Sequence, residues 1–354
     1  MKKLQEILNK IFIDGLSGMA LGLFATLIVG TIIQQVGTLI GGQLGNTLFV
    51  LGKVAGALTG AGIGCGVAYK FKEPPLVVLS AATAGMVGAF AGKIAAGAVF
   101  TDGVIHFAGP GEPLGAFVAA MAGIFLGHLI SGKTSIDILI TPIVAIVSGS
   151  LVGLWVGPSI SSFMAWLGSI INWATLQQPV LMGIVVSVLM GMILTLPISS
   201  AAIGIVLGLS GIAAGAATVG CCANMIGFAV ASYPDNKMGG LLAQGLGTSM
   251  LQVPNIVRKP SIWLPAILTS AILGPISTKL LGMTSNATGS GMGTAGLVGP
   301  LMTYQTMAPT AGSLTTLIEI AAMYFVLPAL LSWIFAKYMR KKGWLRPGDM
   351  KLDV

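Results

Sequence analysis

Lys53, Lys93 and Glu319 stand inside long apolar runs, and Glu112 stands in an irregular stretch between two of them. A charge at membrane depth costs about 2.5–3.5 kcal/mol on insertion scales, so each of the four is a functional candidate. Glu112 follows His106 in the segment Asp102-Gly-Val-Ile-His-Phe-Ala-Gly-Pro-Gly-Glu-Pro113. A histidine and a carboxylate on such a backbone offer both donors and acceptors, with Asp102 as a further acceptor. That set suits a hydroxyl-rich, uncharged solute held by a few polar groups in an apolar cavity. A second irregular stretch, Asn286 to Pro300, adds Asn286, Thr288 and Ser290. The two lysines leave an anionic solute open. Each candidate also has a plainer role. His106 and Glu112 suit a solvated outer loop, the lysines suit snorkelling to headgroups, and Glu319 suits a structural partner for one of them.

Other chemistries lack their residues. There is no Ser–His–Asp or Cys–His arrangement with a water-accessible cleft, so no catalytic residue is expected. Cys65, Cys221 and Cys222 lie in Gly/Ala-rich apolar context without CxxC or His-paired spacing, so neither a metal site nor a cofactor is expected. Gly127-His-Leu-Ile-Ser-Gly-Lys-Thr134 matches a phosphate-loop pattern. That motif works only between a strand and a helix of an α/β domain, and here it lies where a span leaves the membrane. It reads as a cytoplasmic turn, with Lys133 as an anchor and Asp137 at the start of the next helix, where a carboxylate suits the helix dipole.

The elements that must position these residues follow from composition. Of 354 residues, 55% are hydrophobic and 8% charged, against about 25% charged in a soluble domain. The mean hydropathy is +0.94. Too little polar surface remains to coat a soluble globule, and a basic patch would have no soluble face, so nucleic acid is not expected as a partner. A bilayer core about 30 Å thick takes roughly 20 helical residues, and backbone groups in lipid must pair within their own segment. The fold is therefore expected to be all-α and polytopic, a single integral membrane domain over 1–354. Expected spans lie near 16–37, 46–69, 75–100, 114–131, 138–157, 179–197, 262–282 and 314–336, with one or two more in 201–232. Residues 1–12 repeat apolar side chains at helical spacing and predict an interfacial amphipathic helix. Phe163, Trp166, Leu167, Ile170, Ile171 and Ala174 predict another after 157.

Basic residues set the orientation. Lys2 and Lys3, Lys70 and Lys72, Lys133, Lys237, Arg258 and Lys259, and the tail from Lys337 onward are expected inside. Both termini are then cytoplasmic, the tail 337–354 being the largest cytoplasmic element. Residues 101–113 and 283–312 are expected to be re-entrant, because irregular backbone at membrane depth must be buried in protein or line a cavity. Paired interruptions of this kind point to a carrier's binding site, and the sequence predicts that 286–300 closes over His106 and Glu112. Glycine numbers 51, about twice the usual ~7%, and the alternation Gly60, Gly62, Gly64, Gly66 predicts close helix packing.

Three runs bring a resemblance: Gly109-Pro-Gly-Glu-Pro-Leu-Gly-Ala116, Gly132-Lys-Thr-Ser-Ile-Asp-Ile-Leu-Ile-Thr-Pro142 and Gly153-Leu-Trp-Val-Gly-Pro158. With Gly247-Thr-Ser-Met-Leu-Gln-Val-Pro-Asn255 and the Gly-rich 289–300 segment, the chain resembles the membrane IIC subunits of the bacterial phosphotransferase system. Among these it resembles the stand-alone branch that includes the perfringolysin regulator. The resemblance implies about ten transmembrane helices, two re-entrant hairpins, a homodimer in the bacterial cytoplasmic membrane, and elevator-like movement. It implies a sugar site built on a histidine and a glutamate, for which His106 and Glu112 match best by position. The chain carries no IIA or IIB domain, so phosphorylation of an imported sugar would need separate IIA and IIB proteins. The expected function is a permease for a small polar solute, with a sugar or sugar derivative as the favoured class. The alternative is a membrane-bound sensor that regulates gene expression through its cytoplasmic turns or tail.

Overall fold

In a computed structural model the described residues are 10–352, apart from Asp102, Leu176 and Ser199. Most of the expected interfacial helix over 1–12 lies outside them. The chain is an all-α polytopic membrane protein. Six helical stretches are long and apolar enough to cross a bilayer: Ile13–Thr38, Pro113–Ile130, Asp137–Ile160, Gly211–Ala231, Pro260–Leu281 and Ser313–Lys341. A seventh is available if the bent pair Gly42–Ala57 and Thr59–Lys70 counts as one span. The chain divides into two compact units, one ending at Met164 and the other starting at Ala165.

The first unit opens with α1 (Leu16–Leu23) and α2 (Val29–Ile40), joined through a π-helical turn at Phe24–Ile28. α3 (Gly42–Ala57) and α4 (Thr59–Lys70) return antiparallel to them and meet at a 54° bend. Glycines make the seam. Gly18 faces the backbone of Gly66, Gly22 that of Gly62, Gly30 that of Gly52 and Gly37 that of Gly45. A Cβ at any of these would collide with a facing backbone carbonyl, so the helices approach more closely than side chains would allow. The alternation in α4 has a geometric reason. Residues two apart on a helix point about 200° apart, so Gly62 and Gly66 meet α1 while Gly60 and Gly64 meet Gly85 and Ala81 of α5 (Pro75–Ala89). One helix is thereby packed backbone-to-backbone on both sides.

The expected span 75–100 is shorter than its apolar run suggests. α5 ends at Ala89, Phe90 leaves helical geometry, and a short α6 (Ala91–Ala95) follows. A two-stranded ribbon, β1 (Phe100–Thr101) and β2 (Val104–Ile105), then precedes α7 (Pro113–Ile130). α8 covers Asp137–Thr175, and its part Asp137–Ile160 is the stretch apolar enough to cross a bilayer. The helix expected after 157 falls within the range of α8 and has no separate start of its own. α8 passes through Pro142 and Pro158, which membrane helices tolerate because neighbours and local adjustments satisfy the freed carbonyls. Of the residues expected on one face, Ile171 and Ala174 are buried, whereas Phe163 and Trp166 are exposed.

In the second unit α9 (Pro179–Thr195) is followed by a short α10 (Ser200–Val206) and then α11 (Gly211–Ala231). The region 201–232 therefore holds one span and one short helix. α11 is almost wholly buried and is the axis of this unit. Gly220 of α11 meets the backbone of Ser187 on α9, and Gly183 of α9 meets Gly274 of α14 (Leu264–Pro275). Between α11 and α14 the backbone is broken: α12 (Tyr233–Leu242), a π-helical turn at Ala243–Gly247, a 3-10 turn at Ser249–Gln252 and α13 (Val253–Arg258). After α14 come the very short α15 (Ala287–Ser290), α16 (Val298–Ala311), α17 (Ser313–Ile320) and α18 (Leu327–Lys341). α17 and α18 join through a π-helical segment into one long final span.

Candidate functional site

The first interruption lies wholly in the first unit and is tied down at both ends. The His106 amide donates to the Val99 carbonyl at 2.8 Å, closing the β-ribbon. The Glu112 amide donates to the Ala89 carbonyl at 2.7 Å, bringing the chain back to the end of α5. Gly111 makes this return possible: it adopts φ +70°, and a Cβ there would strike the Ala89 side chain and carbonyl. Glu112 is then half-buried directly before α7, whose first residue is Pro113. The Lys93 Nζ donates to the Ala108 carbonyl at 3.3 Å and lies 5.5 Å from the Phe90 ring centre. Phe90 in turn packs on Phe107, with ring centres 4.8 Å apart.

Lys93, His106 and Glu112 thus share one hairpin with an aromatic pair, whereas Lys53 does not join them. Lys53 is exposed on α3 with its Nζ 5.0 Å from the Phe49 ring centre, a cation–π contact on its own helix. The His106 side chain is exposed. Asp102 lies outside the described residues. Chemically the hairpin offers a cationic donor, an imidazole, a carboxylate and two apolar rings, a set able to bind hydroxyls and the apolar face of a ring.

The second interruption lies in the second unit. Gly282 is left-handed at the end of a π-helical turn, and the Ser285 amide donates to the Gly211 carbonyl at 3.2 Å. Asn286 caps the next turn. Its Oδ1 accepts from the Gly289 amide at 3.0 Å, and its Nδ2 reaches the Met302 Sδ at 3.4 Å. Ser290 is fully buried, and its Oγ donates to the Ala287 carbonyl at 2.8 Å. The Ser290 carbonyl accepts from the Cys221 thiol, and the Ser200 Oγ donates to the Gly291 carbonyl at 2.6 Å. Gly293, Gly296 and Leu297 then take φ values of +52°, +53° and +61°. A left-handed leucine costs roughly 1–2 kcal/mol, so the surrounding contacts must hold this turn in place.

Of the three polar residues expected here, Asn286 and Ser290 therefore serve the turn itself, and Thr288 is exposed. Glu319 sits on α17, half-buried, with its Oε2 shielded and lacking a hydrogen-bond partner among the described residues. Near it in sequence, Tyr324 is buried and its hydroxyl pairs with the Thr303 Oγ1 at 2.7 Å.

Two polar clusters carry no signal of charge or glycine and are not among the candidates that the sequence offers. Asn224, in the middle of α11, accepts on Oδ1 from the Trp263 Nε1 at 2.8 Å and the Thr195 Oγ1 at 3.3 Å. Its Nδ2 donates to the Ser270 Oγ at 3.1 Å and the Gly220 carbonyl at 3.2 Å. The second cluster is a ladder of amides. The Gln244 Nε2 donates to Ser232, the Gln252 Nε2 donates to the Gln244 Oε1 at 2.9 Å, and the Asn255 Nδ2 donates to the Gln252 Oε1 at 2.9 Å. Both Gln252 and Asn255 stand in the Gly247–Asn255 run, where a spacing of three places them on one face.

The phosphate-loop lookalike begins in the last turn of α7 and ends in the turn before α8. Its Gly132 amide is taken by the Asp137 Oδ1 at 2.9 Å, and the Thr141 Oγ1 donates to the same oxygen at 2.6 Å. An amide already bound to a carboxylate is not presented to a phosphate.

Residues 13–352 match the family described as "Phosphotransferase system, EIIC". The chain belongs to this family, the membrane component of sugar transport that works with IIA and IIB partners. No curated protein matches the chain.

Proposed function

We propose that the chain carries a sugar or sugar derivative across the cytoplasmic membrane by alternating access, with His106 and Glu112 as its principal polar contacts. The family match over 13–352 carries this reading. Lys93, Asp102, Asn286, Thr288, Ser290, Lys53 and Glu319 remain candidates of lower rank. Lys93 ranks next, because its ammonium lies on the same hairpin as His106 and Glu112. Asn286 and Ser290 rank last, their side chains being engaged in the turn they stabilise. In this reading the short helices complete about ten crossings with two re-entrant elements, both termini are cytoplasmic, and the working unit is a homodimer. Phosphoryl transfer belongs to separate IIA and IIB proteins, and the chain supplies binding and passage.

The alternative, a membrane-bound sensor that regulates gene expression through its cytoplasmic turns or tail, has less support. Leu345 and Met350 of that tail are buried against the second unit. The test is a solute panel of hexoses, pentoses, polyols and anionic sugar derivatives against the purified protein in nanodiscs. A solute that saturably stabilises the wild type, and does so less well for His106→Ala and Glu112→Gln, supports the assignment. Undiminished stabilisation of both variants would remove these two residues from the site.

A further inference from the structure

The stretch after α18 folds back and docks without forming a helix or strand of its own. The Met350 carbonyl accepts from the Gln252 Nε2 at 2.9 Å and the Asn236 Nδ2 at 2.8 Å. The Lys351 carbonyl accepts from the Asn255 Nδ2 at 2.8 Å, and the Leu352 amide donates to the Asn236 Oδ1 at 2.9 Å. The Gly348 amide donates to the Asp235 Oδ1 at 3.0 Å, and Asp349 pairs with the Lys259 Nζ at 2.5 Å. Leu345 and Met350 are buried in a cluster with Phe228, Ile256 and Ile262.

The partners of this strap, Asp235, Asn236, Gln252, Asn255 and Lys259, flank irregular backbone. Lys237 has φ +53°, Ala243–Gly247 is π-helical, and Thr248 is extended. Irregular backbone makes fewer hydrogen bonds of its own and opens at lower free energy than a regular helix. Here the amide ladder and the strap supply bonds that the helix lacks. One end of the ladder also reaches the second interruption. Gln244 belongs to it, and the adjacent Gly245 offers its carbonyl to the Thr294 Oγ1. Contacts thus run without a gap from Met350 through Gln252 and Gln244 to the turn holding Gly293, Gly296 and Leu297.

We propose that residues 345–352 are a latch on the broken helix 243–258, and that undocking the latch loosens the turn at 290–297. The latch is released by whatever weakens the Asp349–Lys259 pair and the three amides, and it sets how freely the second interruption moves. This stands whether or not His106 and Glu112 bind the solute.

Hydrogen–deuterium exchange on the full chain in nanodiscs tests it. Asp349→Lys places two ammonium groups together and is expected to raise exchange at least threefold in 243–258 and in 290–297, leaving α7 and α14 unchanged. The swapped pair, Asp349→Lys with Lys259→Asp, is expected to recover most of the wild-type protection in both segments, the Arg346 amide alone staying without its bond to position 349. Should Asp349→Lys not yield folded protein, Asn255→Ser removes one rung of the latch and gives the same readout. Exchange that rises in 345–352 alone, or in 243–258 without 290–297, or equally over every helix of the unit, would overturn the proposal.

Discussion

The indole of Trp263 donates its one N–H to the Oδ1 of Asn224 at 2.8 Å, between two residues that are both buried. With Thr195, Ser270 and the Gly220 carbonyl, this satisfies the whole carboxamide and joins α9, α11 and α14 at one point. A satisfied network of this kind specifies a packing arrangement, and a half-satisfied one is costly. Asn224→Asp, which turns two donors into an acceptor beside the Gly220 carbonyl, is expected to destabilise the second unit by about 1–3 kcal/mol per group left unpaired. Thermal unfolding in detergent, followed by tryptophan fluorescence, should show a lowered midpoint. An unchanged midpoint would mean that the cluster contributes nothing to packing.

The glycine seam and a glycine outside it give opposite predictions. Gly22→Val drives a branched side chain into the Gly62 backbone, and overpacking of this kind costs about 1–3 kcal/mol. Gly239 in α12 has open space where a Cβ would stand, with no atom within 4 Å, and no positive φ. Gly239→Ala is therefore expected to be neutral or to stabilise by up to about 1 kcal/mol through helix propensity. Midpoints measured side by side should separate the two substitutions clearly.

Glu112→Gln keeps the shape and removes the charge. Loss of a charged acceptor is worth about 1.5–3 kcal/mol, or roughly a 10- to 150-fold loss of affinity. Titration of the solute that the panel identifies should show this loss, with yield and monodispersity as in the wild type. Equal affinity would show that Glu112 does not touch the solute.

Lys133→Ala should leave nucleotide binding where it starts, at none. The Gly132 amide is bound to Asp137, and the stretch runs from the end of one helix into a turn before the next, with no strand before it. Saturable ATP binding by the wild type that disappears in the variant would contradict the geometry.

The strap should respond to acid. Burial alone would raise the Asp349 pKa, but the hydrogen bond from Lys259, the Arg346 amide and the charges of Lys259 and Arg346 outweigh it and hold the carboxyl below its usual range. A carboxyl lowered in the docked state stabilises docking above its undocked pKa, about 3.9, and loses that contribution as pH falls through the lower docked value. Exchange in 345–352 is thus expected to be flat from neutral pH down to about pH 4 and to rise below it, after correction for intrinsic rates. In Asp349→Asn it should already be raised at neutral pH and show no such acid step.

The sequence displayed the membrane fold because a bilayer demands long apolar runs, and these survive any detail of packing. It also showed where backbone regularity fails, since Gly109, Gly111, Gly293 and Gly296 sit at positive φ. It did not show the 54° bend at Leu58, where the neighbouring glycines look like those elsewhere in the seam. Asn286 illustrates a different limit. An asparagine beside a turn suits a solute hydroxyl and a helix cap equally well, and only the 3.0 Å bond from Gly289 separates the two. The docking of the tail was illegible for a related reason. Gln252 and Asn255 bind carbonyl oxygens of Met350 and Lys351, and a backbone acceptor has no residue identity to read.

The latch also has a consequence for how the protein is made. Gln252 and its acceptor on Met350 are 98 positions apart. At roughly 5–20 residues per second, about 5–20 seconds of translation pass between the two ends of that one hydrogen bond. Through that interval the amides of Gln252 and Asn255 have only their partners within the ladder, while Thr294 is synthesised partway through it and can then meet Gly245. The bond that ties the interrupted turn to Gly245 therefore has both partners available before the strap that secures the broken helix does.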